Sequence, residues 1–140
     1  MAISTRFSVA VHILTLVDRN RGEQITSEEI AGSVGTNPVV IRRIMSLLKK
    51  AGLLHSSPGA SVTYLTRDPE EISLYEVYRA VEGEKQLFDM HQNPNPNCFV
   101  GAHIQDALDD AFLNAQRKME AELKKVSLQD IRASMESKAN

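Results

Sequence analysis

The sequence predicts a mainly α-helical fold with one small β-hairpin, and three observations carry that expectation. Apolar residues recur at helical spacing over several separate stretches, most of them opened by a residue able to cap a helix. Strand-like alternation is confined to two short segments flanking Ser57-Pro58-Gly59-Ala60-Ser61. Near the C-terminus, a helical period is kept from Ile104 to Lys125, about 33 Å at 1.5 Å per residue.

Met1 to Arg6 lead into a first helix over Phe7 to Asp18, where Val9, Ala10, Val11, Ile13, Leu14, Leu16 and Val17 are apolar around most of the circumference. Such a helix is buried on several sides. Its start, Ser4, Thr5 and Arg6, suits either a bound phosphate or a plain capped surface end. His12 lies inside the apolar run; a packed, hydrogen-bonded core histidine is expected there, with ligand or pH sensing as the lesser reading.

After the turn at Asn20-Arg21-Gly22 come two short helices within Ile25 to Leu54. Thr26 caps the first, with Glu29 three residues on placed to complete a capping box, and Ile25 and Ile30 at staple spacing. The second starts at Asn37-Pro38, with Asn as cap and Pro at the first helical position, so only Val34, Gly35 and Thr36 remain for the turn. At 100° per residue, Ile41, Ile44, Met45 and Leu48 face one side of this second helix. Val39, Arg42, Arg43, Ser46 and Lys50 face the other. That outer face fits a DNA major groove, where Arg and Lys meet guanine or phosphate, although ordinary surface helices also carry such charges.

Ala51-Gly52 ends the helix, and Leu53 to Ser56 and Val62 to Leu65 follow as strands joined by a loop with hydroxyls but no Arg or Lys. A capped helix, a tight turn, a Pro-started helix and a hairpin in that order predict a winged helix-turn-helix. The hairpin would serve as a wing that positions more than it specifies, or as a plain surface hairpin. Ser73 caps a further helix, Leu74 to Val81, closed by Glu82-Gly83. From Glu84 to Gly101 the period dissolves, with Asn93-Pro94-Asn95-Pro96-Asn97 breaking any regular element, and this loop holds Cys98.

In the long helix, Ile104, Leu108, Ala111, Ala115, Met119 and Leu123 form a stripe widened by Ala107, Phe112 and Val126. A second copy of the chain is expected to bury it, the competing reading being that it packs back on its own domain. Ser127 to Met135 makes a short last helix. The expected organisation is a winged helix-turn-helix domain over residues 1–83, a loop over 84–103, and a dimerisation helix with its tail over 104–140.

Composition bounds the function. With 140 residues and 42% apolar content, the chain suits one packed domain, or one domain with an appended helix. No run of about 20 apolar residues or signal-peptide pattern appears, so a cytoplasmic protein without membrane contact is expected. One cysteine makes no internal disulfide. The net charge of −2 hides an asymmetry: residues 1–67 hold eight Lys or Arg against four Asp or Glu, and the acidic excess lies in the remainder. A basic head of this kind attracts phosphate. No nucleophile-base-acid set, Gly-rich phosphate loop or convergent carboxylate pair supports an enzyme.

With these motifs in place, the chain resembles the Rrf-type bacterial winged helix-turn-helix regulators, the family of the iron–sulfur-cluster regulator IscR, the nitric-oxide-responsive NsrR and the cysteine-metabolism repressor CymR. The resemblance covers nearly the whole length. It rests on Ala10-Val11, the segment Thr36 to Ile44, Leu47-Leu48-Lys49-Lys50-Ala51-Gly52-Leu53, Asp68-Pro69-Glu70-Glu71-Ile72-Ser73-Leu74, and Val77 to Gly83. It implies a homodimer that crosses its long helices and binds palindromic operators in double-stranded DNA, repressing or activating transcription under a small signal or protein effector. The implied DNA contacts come from the first helix start, the second helix of the pair and the wing. Together with the residue-level reading, the candidate DNA-binding set is Ser4, Thr5, Arg6, Thr26, Asn37, Pro38, Val39, Val40, Arg42, Arg43, Ser46, Lys50, Ser56, Ser57 and Ser61. The candidate dimerisation set is Ile104, Leu108, Ala111, Phe112, Ala115, Met119 and Leu123.

Two departures from the family pattern matter. Many members hold an iron–sulfur cluster through three cysteines before the long helix, and here only Cys98 stands, so no such cofactor is expected. The wing also lacks the basic, doubly glycine-marked loop of many relatives, having Pro58-Gly59-Ala60. Cys98 itself is either a reactive thiol at a helix start, suited to a redox switch, or a small buried side chain. His91, Cys98 and His103 match no zinc spacing, and no metal site is expected. The rival function is a winged-helix protein-interaction module whose basic face meets an acidic partner.

Overall fold

A computed structural model describes residues 4–57, 62–84 and 86–139. The expected elements are present in the expected order. Helix α1 spans Thr5–Arg19, α2 Ser27–Val34, and α3 Pro38–Lys50. Strands β1 (Leu54–Ser56) and β2 (Thr63–Leu65) pair antiparallel with Leu54 opposite Leu65, forming the small hairpin. A 3-10 turn at Pro69–Glu71 leads to α4 (Leu74–Glu82), then to α5 (Phe99–Lys124) and α6 (Leu128–Ala139).

The core forms where the apolar faces of α1, α2, α3 and α4 meet. Ile13 and Leu14 of α1, Ile30 of α2, and Ile41 and Leu48 of α3 are fully buried, with Ile72 and Val77 closing the layer from α4 and its approach. The wheel drawn for α3 holds in full, since Ile41, Ile44, Met45 and Leu48 are buried while Val39, Arg42, Arg43, Ser46 and Lys50 are exposed. Caps fix the entry of each short helix. The Thr26 hydroxyl accepts from the Glu29 N–H at 3.0 Å, and the Asn37 side-chain Oδ1 accepts from the Val40 N–H at 3.1 Å. Gly35 takes φ +85° between α2 and α3, a left-handed turn that glycine adopts without steric cost.

Three expectations need correction. The reciprocal capping box forms at Ser73 and Glu76, whereas Thr26 has only its half of one. The long helix begins at Phe99, not Ile104, so the loop ends at Cys98. The reason is Gly101, whose Cα lies so close to the Asn95 backbone that a Cβ there would collide with the Asn95 carbonyl oxygen. A glycine that reads as a helix breaker therefore lets the loop fold down against the first turn of α5. The last helix likewise extends to Ala139, past Met135.

Helix α6 returns to its own domain. Its approach pairs Ser127 with Ser73, the Leu128 N–H donates to the Ile72 carbonyl at 3.0 Å, and Leu128 is buried. Arg132 reaches Asp18 on α1 at 3.1 Å, and Arg21 reaches the other oxygen of that buried carboxylate. Helix α5 behaves differently: none of its 26 residues is buried.

Candidate nucleic-acid interface

The surface built by α3 is basic, shallow and rigidly backed. Four buried residues anchor the helix, so its outer side chains have little freedom to tilt away. Val39 is 54% exposed at the first turn, where an apolar group can meet a thymine methyl. Arg43 forms no ion pair with any other described residue. Arg42 is partly engaged, its guanidinium lying 3.5 Å from the Glu28 carboxylate. Both partners are largely exposed, and such a pair is worth about 0 to 1 kcal/mol, so it competes only weakly with a phosphate. The Ser46 hydroxyl donates to the Arg42 carbonyl at 3.0 Å.

A cleft of about 450 Å³ separates α3 from the start of α2 and the hairpin. Arg42, Ser46 and Lys49 line one wall, Thr26 and Ser27 another, and Ser56 the third. Lys49 and Ser27 were missed in the sequence. For Lys49 a signal existed, because it stands seven residues after Arg42 and thus on the same edge of the helix.

Other candidate residues are committed elsewhere. Thr26 and Asn37 spend their side-chain oxygens on caps, and Val40 packs against the core. Ser56 bonds Thr63 across the hairpin at 3.1 Å, and the Ser57 N–H closes it onto the Val62 carbonyl. Ser61 and the loop tip at 58–60 lie outside the described residues. At the start of α1, the Ser4 hydroxyl donates to Glu82 at 2.6 Å, and Arg6 approaches the same buried carboxylate at 3.4 Å. Ser4 and Arg6 are thus joined to α4, whereas Thr5 is exposed and only its carbonyl is engaged among the described residues, accepting from the Ser8 hydroxyl at 3.0 Å. His12 is half-buried, not core, and bonds Ser33 at 2.8 Å.

The apolar stripe of α5 divides in two. Leu108, Phe112, Met119 and Leu123 are half-buried on one side, where Phe88 stacks on Phe112 at 4.8 Å. Below them the Leu87 N–H donates to Gln116 at 2.9 Å, and Lys124 sits over the Tyr75 ring at 4.5 Å. Val100, Ile104, Ala107, Ala111 and Ala115 lie about 90° around the helix and are exposed. Cys98 is exposed in the single chain as well.

The sequence profile of the Rrf2 family, described as iron-dependent transcriptional regulators, matches residues 3–134. The chain belongs to the Rrf2 family. Among curated relatives of this Rrf2 protein, YwnA of Bacillus subtilis, named as an HTH-type transcriptional regulator, is 53% identical over 129 residues, covering 92% of this chain and 96% of YwnA. A crystal structure described as a DNA binding protein is 50% identical, with a TM-score of 0.75 and coverage of 91% and 98%. The structure of T. potens IscR shares the fold at a TM-score of 0.71 and 20% identity, covering 96% and 88%. The chain is therefore a transcriptional regulator of this family with its DNA-binding winged-helix fold.

The donor set does not fit an iron–sulfur cluster. Such a cluster takes about four protein ligands, and this chain has one cysteine, so two copies would bring only two thiolates. Among the described residues no group of three or more His, Cys, Asp or Glu is arranged to hold a metal ion. Nor, among them, is any helix long and apolar enough to cross a membrane.

Proposed function

We propose that this Rrf2 protein is a homodimeric, sequence-specific transcriptional repressor that reads a palindromic operator with α3. The observation that carries the reading is the outer face of α3, where Val39, Arg42, Arg43, Ser46 and Lys50 stand exposed on a helix whose opposite side is wholly buried. Arg43 and Val39 address base edges in the major groove, while Arg42, Lys49 and Lys50 meet phosphates. Support for the dimer comes from α5, whose line from Val100 to Ala115 is exposed, with no cover from the described residues. The alanines on that line let a second α5 approach closely, and a twofold pair of α3 helices then reaches two half-sites about one helical turn apart, roughly 34–36 Å.

The exposed thiol of Cys98, at the start of α5, is the candidate for a redox input: diamide would take two electrons and two protons from a pair of Cys98 thiols and leave an intersubunit disulfide. Operator binding that responds to diamide in the wild type but not in Cys98→Ser supports this input. Identical responses remove it.

Selection of bound genomic fragments tests the function as a whole. The expected result is one enriched, twofold-symmetric sequence whose affinity falls steeply as salt rises. Failure to enrich any sequence, with the basic face instead capturing an acidic protein, would favour the protein-interaction module.

A further inference from the structure

A groove of about 430 Å³ runs along α1, between the end of α2 and the returning α6, away from the α3 surface and from the uncovered line of α5. Its volume falls within the range of about 300 to 1,000 Å³ typical of small-molecule sites. The floor and walls are apolar: Val11 and Leu16 come from α1, Ile131 and Met135 from α6. The Thr15 hydroxyl turns back to the Val11 carbonyl at 2.7 Å, so it adds little polarity to the floor. At one end the His12 imidazole and the Ser33 hydroxyl are hydrogen-bonded at 2.8 Å. At the other end stands Arg19, exposed and without an ion pair to another described residue. None of the lining residues is acidic.

We propose that this groove binds a linear monocarboxylate of medium chain length, with its carboxylate on Arg19 and its tail laid along Val11, Leu16, Ile131 and Met135 toward His12. One guanidinium matches one negative charge; a dianion such as phosphate would bring a second charge with no partner and no use for the apolar floor. Two helical turns separate Arg19 from His12, about 10 Å at 1.5 Å per residue, the extended length of a chain of about eight carbons. The assignment does not rest on the DNA-binding reading, and its test contains no DNA.

Isothermal titration calorimetry of the full chain with octanoate, octanol and inorganic phosphate decides it. Octanoate is expected to bind, octanol to bind roughly tenfold more weakly for want of the charge-assisted bond, and phosphate not to bind. Arg19→Gln should lose roughly tenfold toward octanoate and leave octanol unchanged, whereas Met135→Gln should weaken both ligands. Arg19 and Met135 are exposed, and unchanged thermal unfolding of each variant shows that the fold is intact. The proposal is overturned if octanoate does not bind, if octanol binds as tightly, or if Arg19→Gln matches the wild type. It is overturned equally if octanoate binds only at dilutions where the chain is monomeric, for the groove would then be covered by a second copy.

Discussion

Helices α3 and α5 are both amphipathic, yet the chain finishes the environment of only one of them. In 13 residues α3 buries four apolar side chains against α1, α2 and α4, while α5 runs for 26 residues and buries none. A helix completed by its own domain presents its other face as a fixed surface, which is what reading a groove requires. A helix left incomplete keeps apolar area that a partner can bury, which is the main favourable term in association, and the partner proposed above is a second copy. On the proposed function, α3 would carry recognition and α5 assembly.

Substitutions on the two helices should therefore fail in different ways. The largest effect is expected from Ala111→Glu, which leaves the single chain undisturbed because Ala111 is exposed there, but sets two unpaired carboxylates into the proposed dimer seam. An uncompensated buried charge costs on the order of 3 to 5 kcal/mol, so sedimentation should shift from dimer to monomer with the helical content unchanged. A dimer that survives Ala111→Glu would place the seam elsewhere. Ile44→Ala acts oppositely: it opens a cavity beneath α3 and should lower unfolding stability by about 2 to 5 kcal/mol in urea titration.

Gly101→Ala drives a Cβ into the Asn95 carbonyl and should cost about 1 to 3 kcal/mol, with the added hydrogen exchange confined to the loop and the first turns of α5. Exchange spread over α3 instead would show that the two regions are not separable. The smallest effect concerns Glu76. Partial burial by itself raises its carboxyl pKa, but bonds from the Ser73 backbone and the Arg67 guanidinium outweigh it and hold the group below its ordinary value of 4.5. A lowered folded-state pKa means the bonds stabilise fully above that ordinary value and are lost as pH falls through the folded one. The thermal stability gap between wild type and Glu76→Gln should accordingly close on going from about pH 7 to about pH 3.

The α3 half of this contrast was legible in the sequence because everything that forms it is local. Asn37 and Pro38 mark its start, and the spacing of Ile41, Ile44, Met45 and Leu48 marks its buried side. The α5 half was legible only as a period. Leu108 and Ala111 belong to one stripe in sequence, yet the loop residue Phe88 stacks on Phe112 and covers only one flank, a contact that periodicity does not encode. Contacts at long separation were likewise invisible: Ser4 and Arg6 on Glu82, and Arg132 on Asp18. The capping boxes show the same limit at short range. Thr26 and Ser73 both stand three residues before a glutamate, but only Glu76 closes its box, and Arg67 holds that carboxylate at 2.6 Å.

Titration of the selected operator with wild type and Arg43→Ala, alongside their unfolding curves, measures the central claim that the exposed face of α3 reads DNA. The account predicts a loss of about 1 to 3 kcal/mol in operator affinity, a smaller loss toward random duplex, and superimposable unfolding, since Arg43 makes no ion pair within the described chain. Operator affinity equal to that of the wild type would contradict it.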